Sequence, residues 1–205
     1  AALEHYGRQV TVTELAREIL EDRKFYEYSG GGVTLSGGEP LFYPEFCAEL
    51  LAFLQKENIH CTIDTCGNVA WSSFEKVLPY CDLFLYDFKH ASSDEHRKLT
   101  GSGNELIIEN LQRLAQTGKA IEIRMIMIPT LNMSDANLKA AAIILSELPN
   151  IAKIKLLPYH SFSASKYEAI GHFNSMPENI LPPSQKEMTT AAEFIQKISG
   201  LPVST

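Results

Sequence analysis

Apolar positions along this chain alternate between two periodicities, and the alternation predicts an α/β fold. Short apolar runs predict strands at 33–35, 60–63, 81–87, 120–128 and 152–157. Between them, apolar residues recur every three or four positions and predict helices over about 12–27, 46–57, 104–117 and 135–147. Strands separated by helices of this length are typical of parallel sheets, either barrel-like or doubly wound.

Capping signals fix the ends of two predicted helices. Thr11 and Glu14 have the spacing of a capping box, and so do Ser184 and Glu187 at the start of a last helix that ends at Gly200. The run 81–87 is almost continuously apolar, which predicts a strand buried on both faces, and 33–35 is also predicted to be buried. The stretch 161–183 has no apolar period and predicts one long loop.

Composition and charge narrow the class of protein. The 205 residues are 45% hydrophobic and 21% charged, as in an ordinary globular domain. The net charge is −7 and no basic tract occurs, which argues against a nucleic acid or an anionic membrane as partner. No apolar run approaches the roughly 20 residues that span a bilayer, and no signal peptide is evident. These features predict a cytoplasmic protein that binds a protein or a small molecule.

The four cysteines fit no metal motif. Cys47, Cys61, Cys66 and Cys81 are separated by 14, 5 and 15 positions, which matches neither zinc nor iron–sulfur spacing. We therefore predict reduced thiols and no iron–sulfur ligands within these residues. Cys47, Cys61 and Cys81 are interpreted as small buried hydrophobic residues, and no chemistry is assigned to Cys66.

Polar residues follow the predicted strands at their carboxyl ends. Gly37 and Gly38 allow bare backbone to approach a ligand and Glu39 adds a carboxylate, although a plain tight turn would have the same sequence. Asp87 and Lys89 lie on one face of their strand and could hold a zwitterion or each other. Barrels and open α/β sheets bind ligands at this rim.

Glu122, Arg124 and His160 can each be interpreted as a structural residue or as a ligand contact. The charges of Glu122 and Arg124 on a buried strand require partners, which an ion pair or a ligand would supply. A lone histidine such as His160 more often makes a structural hydrogen bond than a ligand contact. The histidines at 60, 90, 96 and 172 are interpreted as structural.

Four motifs in order carry a family resemblance. They are 36–40 (Ser-Gly-Gly-Glu-Pro), 64–68 (Asp-Thr-Cys-Gly-Asn), 87–89 (Asp-Phe-Lys) and 156–160 (Leu-Leu-Pro-Tyr-His). From about Gln9 to the region of Ile195 the chain resembles the radical S-adenosylmethionine (SAM) activating enzymes of glycyl radical enzymes, the pyruvate formate-lyase activating type in particular. The resemblance implies an incomplete TIM-type parallel β/α barrel whose open edge lies beside strand 33–35.

The resemblance also implies a reaction and a set of SAM contacts. In this family a 4Fe–4S cluster reduces SAM to methionine and a 5′-deoxyadenosyl radical, which removes a hydrogen atom from a backbone glycine of the partner enzyme. A flavodoxin or ferredoxin is the implied electron donor. The implied SAM-binding residues are Gly37, Gly38, Glu39, Asp64, Thr65, Asp87, Phe88, Lys89, Arg124 and His160. A monovalent cation is implied at Asp64, Thr65, Asp87 and the carbonyl of Leu85, although Asp64 could instead cap the turn at Gly67 and Asn68.

One departure from the family shapes the expectation for this chain. The C-x-x-x-C-x-x-C loop that holds the family's cluster is missing from residues 1–205. We therefore expect a single radical SAM core domain that lacks the first strand, the cluster loop and any ferredoxin-like insert, with no catalytic residue of its own, and inactive alone. The alternative is a non-catalytic module that binds a nucleotide-like ligand or the partner enzyme.

Overall fold

The computed structural model describes residues 8–160 and 180–205, and its strands are parallel neighbours in chain order. The sheet runs β1-β2-β3-β4-β5-β6. The strands are β1 (Gly32–Leu35), β2 (His60–Thr65), β3 (Leu83–Asp87), β4 (Ala120–Met127), β5 (Ile151–Pro158) and β6 (Val203–Ser204). Sequential order is that of a β/α barrel and differs from the order of doubly wound folds, so the predicted α/β class is confirmed and the doubly wound option is excluded.

Two helices precede β1, and the other helices connect successive strands. The helices are α1 (Val12–Glu21), α2 (Arg23–Ser29), α3 (Pro44–Lys56), α4 (Trp71–Val77), α5 (Ser93–Thr100), α6 (Glu105–Ala115), α7 (Asp135–Ser146) and α8 (Gln185–Ser199), with 3₁₀ turns at Pro40–Phe42 and Leu78–Tyr80. Both predicted capping boxes form, and Gly200 ends α8 at a φ of 70°. No helix within the described ranges is long and apolar enough to cross a membrane.

The chain divides into two compact units, the first made of residues up to 65 and 69–84. Its core is formed by the leucines of α3, with Leu50, Leu51 and Leu54 fully buried. β1 pairs with β2 in register from Gly32 opposite His60. A Cβ at Gly32 would lie 2.1 Å from the carbonyl oxygen of His60, so this pairing requires glycine.

The second unit comprises residues 66–68 and the chain from 85 onward. β4 pairs with β5, and a register shift between Ile121 and Glu122 brings Arg124 opposite Lys155. β5 also pairs with β6 through Ile154 opposite Val203. The parallel pairing continues to Met127 opposite Pro158, so the carboxyl ends of β4 and β5 lie side by side.

The structure corrects three sequence predictions. The helix predicted over 12–27 is two helices, because the chain breaks at Asp22, whose N–H turns back to Ile19 and Leu20. β1 is not buried: its residues alternate between exposed and half-buried, since in the described sheet it pairs with β2 alone. β3 begins only at Leu83 and is buried on one face.

Candidate functional site

The glycine turn after β1 presents bare backbone to open space. Gly37 has a φ of 133°, a conformation that L residues rarely adopt. A Cβ built on Gly37 or Gly38 would meet no atom within 4 Å. Among the described residues, there is therefore room for a ligand beside the backbone of these two glycines.

Glu39 is buried rather than open to solvent. Only 8% of Glu39 is exposed. Its Oε1 accepts hydrogen bonds from the backbone N–H of Leu41 at 3.1 Å and from the hydroxyl of Thr65 at 2.8 Å. Thr65 is 2% exposed, whereas neighbouring Asp64 is half-buried. These bonds bring the predicted residues Glu39 and Thr65 together and fix the turn to the end of β2.

The end of β3 carries the predicted pair of opposite charges. Lys89 Nζ lies 3.8 Å from Asp87 Oδ2, and the two side chains are 40% and 25% exposed. Phe88 between them points the other way and is 1% exposed. Its N–H donates to the carbonyl of Arg124 over 2.8 Å, which continues the strand pairing past β3. The predicted sharing of one face by Asp87 and Lys89 is confirmed.

A groove of about 930 Å³ lies within the second unit, and Lys89 is the member of this pair that lines it. Its polar wall is formed by Lys89, Lys98, Thr100, Asn132 and His160. Its apolar wall includes Ile126, Ile128, Leu131, Leu157, Pro158 and Tyr159. Lys89 and His160, predicted from separate motifs, thus line one cavity. A groove with apolar walls and a few convergent polar groups is the usual form of a small-molecule site.

The sequence did not point to Lys98, Thr100 and Asn132 as parts of this groove. Lys98 and Thr100 lie in the last turn of α5, which ends at Gly101 with a φ of 89°. That helix-ending glycine is a signal the sequence contained. Asn132 lies in the loop after β4 and is 3% exposed, and nothing in the sequence marks it as buried.

Glu122 on the charged face of β4 forms an ion pair with the neighbouring strand. Glu122 is 9% exposed, and its Oε2 lies 3.0 Å from Lys153 Nζ on β5. The ion-pair interpretation of Glu122 is therefore confirmed. Arg124, two residues further along the same face, is half-buried.

Two of the histidines interpreted as structural make hydrogen bonds to backbone. His90 Nδ1 accepts from the N–H of Ser92 at 3.0 Å, and burial lowers the pKa of this imidazole. His96 Nδ1 lies 2.7 Å from the carbonyl of Ser102 and is 3% exposed. The structural interpretation is confirmed for both; His172 lies outside the described residues. His160, by contrast, is exposed at the end of the groove.

The thiols behave as the sequence predicts for buried hydrophobic residues. Cys47, Cys61 and Cys81 are buried, and burial raises their thiol pKa values to about 11, about 11 and about 12. Cys66 is half-buried. In residues 8–160 and 180–205 no group of three or more His, Cys, Asp or Glu side chains is arranged to hold a metal ion.

A charged pair beside an apolar groove suits a ligand that is a zwitterion at one end and a nucleoside at the other. A sequence profile of the radical SAM superfamily matches residues 2–140. The chain belongs to the radical SAM superfamily. That family uses SAM and a 4Fe–4S cluster. SAM fits the residues present, whereas the described ranges offer no set of ligands for a 4Fe–4S cluster.

Curated relatives include several activating enzymes. The chain is 39% identical over 97% of its length to the trans-4-hydroxy-L-proline dehydratase activating enzyme of Clostridioides difficile, covering 68% of that protein. It is 42% identical over 83% of its length to the choline trimethylamine-lyase activating enzyme of Oleidesulfovibrio alaskensis, covering 56% of it. The pyruvate formate-lyase-activating enzyme of Clostridium pasteurianum is 36% identical over 80% of the chain, which covers 68% of that relative. The chain thus spans between about half and two thirds of these radical SAM relatives.

Solved structures match the fold of this chain. A domain of the pyruvate-formate lyase-activating enzyme from Bacteroides vulgatus superposes with a TM-score of 0.71 at 29% identity, over 85% of this chain and 98% of that domain. SuiB of Streptococcus suis bound to its precursor peptide gives a TM-score of 0.72 at 16% identity, over 98% of this chain and 44% of SuiB, and shows the fold alone. The predicted radical SAM partial-barrel fold is confirmed.

Proposed function

We propose that this chain is the SAM-binding core of an enzyme that activates a glycyl radical enzyme. Relatives named as activating enzymes match the chain at 36–42% identity. Their names cover a dehydratase and two lyases, so they support the reaction class without selecting one partner. A glycyl radical enzyme of the formate C-acetyltransferase kind, a flavodoxin or ferredoxin as electron donor, and a cytoplasmic location are all parts of this proposal.

The observation that carries the proposal is the charged pair of Asp87 and Lys89, of which Lys89 lines the groove. Their charged atoms are 3.8 Å apart, and both side chains are accessible to a ligand. The methionyl end of SAM carries an ammonium and a carboxylate. Asp87 would accept hydrogen bonds from that ammonium while Lys89 donates to that carboxylate, so the ligand exchanges one opposite-charge pair for two.

The groove wall supplies the second half of the fit. Its apolar side chains suit the nucleoside of SAM, whose faces are apolar and whose edges are polar. His160 is exposed at the end of the groove and Arg124 lies on the same face of β4 as Ile126. Both are proposed to hydrogen bond with the ligand, whereas buried Phe88 would contribute through its backbone.

The residues of the first unit stay predicted SAM contacts. They are Gly37, Gly38, Glu39, Asp64 and Thr65, and the monovalent cation at Asp64, Thr65 and Asp87 likewise stays a prediction. Because Glu39 is buried and bonded to Thr65, its proposed part is to shape the glycine turn. A Cβ built on Gly37 or on Gly38 would have no neighbouring atom within 4 Å, so the backbone of either glycine could approach a ligand.

The protein's own contribution to the reaction is placement. Held by these residues, SAM would supply the chemistry: one-electron reduction would break its C5′–S bond and release methionine, and the remaining adenosyl carbon would take a hydrogen atom from a glycine of the partner. The groups described above would hold the zwitterion and the nucleoside so that the reacting carbon has one orientation. No acid–base pair is required of the chain, because the hydrogen moves as an atom and not as a proton.

Binding measurements on three variants test the assignment. Lys89→Ala and Asp87→Asn should each weaken SAM binding by roughly 1–3 kcal/mol through loss of a charge-assisted hydrogen bond. Asp94→Asn, in the exposed first turn of α5, is the matched control and should bind SAM as the parent protein does. Isothermal calorimetry on the cluster-bearing protein gives the affinities. Unchanged affinity in folded Lys89→Ala and Asp87→Asn would show that the pair is structural.

The reaction class has its own readout. The protein with its cluster and a reductant should release 5′-deoxyadenosine, and the partner should gain an organic radical signal in electron paramagnetic resonance. The alternative of a non-catalytic binding module is not favoured, since the relatives are named as enzymes. SAM binding without any cleavage by the holoenzyme would restore that alternative.

A further inference from the structure

Three buried asparagines hold the backbone that follows β3. Asn104, Asn132 and Asn137 are 5%, 3% and 5% exposed. Asn132 Nδ2 donates to the carbonyl of Lys89 at 3.2 Å. Asn104 Nδ2 donates to the carbonyls of His90 at 2.8 Å and Ala91 at 3.2 Å, while Asn137 Oδ1 accepts from the N–H of Ala91 at 2.9 Å. Every backbone group in these bonds belongs to residues 89–91.

The side-chain amides supply hydrogen-bond partners that regular secondary structure does not give to residues 89–91. Residues 89–91 lie beyond β3 and before α5, so neither a strand ladder nor a helix pairs their carbonyls. A buried backbone carbonyl without a partner costs about 1–3 kcal/mol. Side-chain amides can satisfy both carbonyls and N–H groups because each carries two donors and an acceptor.

Asn132 is itself fixed in one orientation. Its Nδ2 also donates to the carbonyl of Ile126 at 2.7 Å, and its Oδ1 accepts from the N–H of Ile128 at 2.8 Å. The carbonyl of Asn132 accepts from Asn137 Nδ2 at 2.7 Å. Turning the amide over would place its oxygen against two carbonyl oxygens. The side chain therefore joins the end of β4 rigidly to the backbone of Lys89.

The hydrogen bonds of Asn132 fix the backbone position from which the Lys89 side chain extends. On one side of Lys89, Phe88 is buried and bonded to β4; on the other, His90 is 7% exposed. With the backbone of Lys89 held between these points, the flexible side chain starts from a fixed position. Lys89 and Asn132 both line the groove. A fixed start lowers the entropy that Lys89 loses when it binds an anion.

We propose that the three asparagines, and Asn132 above all, are positioning residues that present Lys89 to the carboxylate of an amino-acid-bearing nucleoside. The inference rests on the proposed function, in which that ligand is SAM. The amides of the asparagines are directed at backbone groups, although Asn132 also lines the groove. They act through the backbone of residues 89–91, and their loss should affect only the portion of the ligand that Lys89 contacts.

Two ligands separate positioning from general support of the fold. SAM carries the amino-acid carboxylate, whereas 5′-methylthioadenosine has the same nucleoside and no amino acid. Asn132→Ala should weaken SAM binding about fivefold to tenfold, as expected when one hydrogen bond of ordinary strength is lost. Binding of 5′-methylthioadenosine should change less than about twofold. Equal losses for both ligands would show that Asn132 merely supports the groove, and would overturn the inference.

A double-mutant cycle gives the second readout. Adding Asn132→Ala to Lys89→Ala should cause no further loss of SAM affinity, because the asparagine acts only through that lysine. Additive losses would contradict the inference. If Asn132→Ala does not fold, Asn104→Ala replaces it, since its amide holds His90 and Ala91 in the same segment.

Matched controls keep this test separate from the proposed function. Asn150→Gly removes the hydrogen bond of 2.8 Å that the side-chain amide of Asn150 donates to the carbonyl of Ala115. Because Asn150 precedes β5 and lies away from the carboxyl end of that strand, SAM affinity should not change. Asn150 has a φ of 63°, which glycine adopts without strain. If Lys89→Ala itself leaves SAM binding unchanged, the proposed function fails and this inference with it. If Lys89→Ala weakens SAM binding and Asn132→Ala does not, this inference alone fails.

Discussion

The hydroxyl of Thr65 donates to the carboxylate of Glu39 over 2.8 Å, and this bond ties the glycine turn after β1 to the end of β2. The same carboxylate oxygen accepts the N–H of Leu41 and so begins the 3₁₀ turn at Pro40–Phe42. One buried carboxylate thus determines the path of the chain on both sides of Pro40. The turn depends on Glu39 for its shape before any ligand arrives.

Removing this carboxylate should destabilise the protein. Glu39→Ala leaves the Thr65 hydroxyl and the Leu41 N–H without this partner, and the free energy of unfolding should fall by about 1–3 kcal/mol. Glu39→Gln retains an acceptor oxygen, so its free energy of unfolding should fall by less than that of Glu39→Ala. Urea unfolding followed by circular dichroism measures both. Equal stability of the alanine variant and the parent would show that the bond contributes nothing.

Gly38→Ala should weaken SAM binding without destabilising the fold. The added Cβ meets no protein atom within 4 Å, and Gly38 does not have the positive φ of Gly37. The melting temperature should therefore stay within about 2 °C of the parent, since surface changes without strain cost little. SAM affinity should fall, because the methyl group occupies the space beside the exposed backbone. Retained affinity would remove Gly38 from the set of SAM contacts.

Two glycines with similar backbone angles should respond very differently to alanine. Gly67 has a φ of 73°, and its Cβ would lie 1.8 Å from the hydroxyl oxygen of Tyr86. Gly118 has a φ of 79° with no atom within 4 Å of its Cβ. Gly118→Ala should cost roughly 1–2 kcal/mol for the left-handed backbone alone. Gly67→Ala should cost about 3 kcal/mol or more, because Tyr86 donates to the carbonyl of Ile107 and cannot easily move.

Melting curves of the two variants decide this prediction. A smaller loss for Gly67→Ala than for Gly118→Ala would mean that Tyr86 yields without cost. It would also mean that the turn bearing Cys66 and Gly67 is adjustable.

The four thiols should differ in reactivity. At pH 8 a thiol whose pKa is about 11 is about one part in a thousand ionised, and Cys47 and Cys61 are raised to that value by burial. Cys81 is raised to about 12. Cys66 alone is half-buried. Ellman's reagent should therefore label about one thiol quickly in the native protein, and the Cys66→Ala variant should show no fast phase.

Because of these raised pKa values, the stability of the folded protein should fall as the pH becomes alkaline. The buried thiols hold their protons in the folded state, whereas an unfolded thiol has a pKa of about 8.5. Their contribution to the free energy of unfolding is present in full below about pH 8.5 and is lost as pH rises through about 11. Urea unfolding at pH 8 and pH 10.5 measures the loss, and a triple alanine variant at positions 47, 61 and 81 should show a smaller one.

Periodic patterns in the sequence predicted the regular elements where the pattern was long enough. α6, α7 and α8 lie within about two residues of the prediction, because each repeats its apolar stripe over three turns. α4 has only Phe74 and Val77 as buried residues in seven positions, which is too short for a period to show. β6 consists of two residues and depends on pairing with β5, a long-range contact that no local pattern records.

The charged residues of the candidate site were predictable, and the amides around them were not. Asp87, Lys89 and His160 stand at strand ends, where their polarity interrupts an apolar run. Asn104 and Asn132 stand in loops, where asparagine usually serves a turn. Their burial depends on the backbone that the fold brings to them, which appears only in three dimensions.

A support built from amides has no proton to gain or lose. Asparagine stays neutral across the pH range in which proteins remain folded, so acidification cannot loosen the three side chains that hold residues 89–91. The one titratable ring in that segment, His90, has its pKa lowered by burial and is uncharged at neutral pH. The backbone of Lys89 thus keeps its position over the pH range in which the protein stays folded, because none of the three side chains that hold it gains or loses a proton.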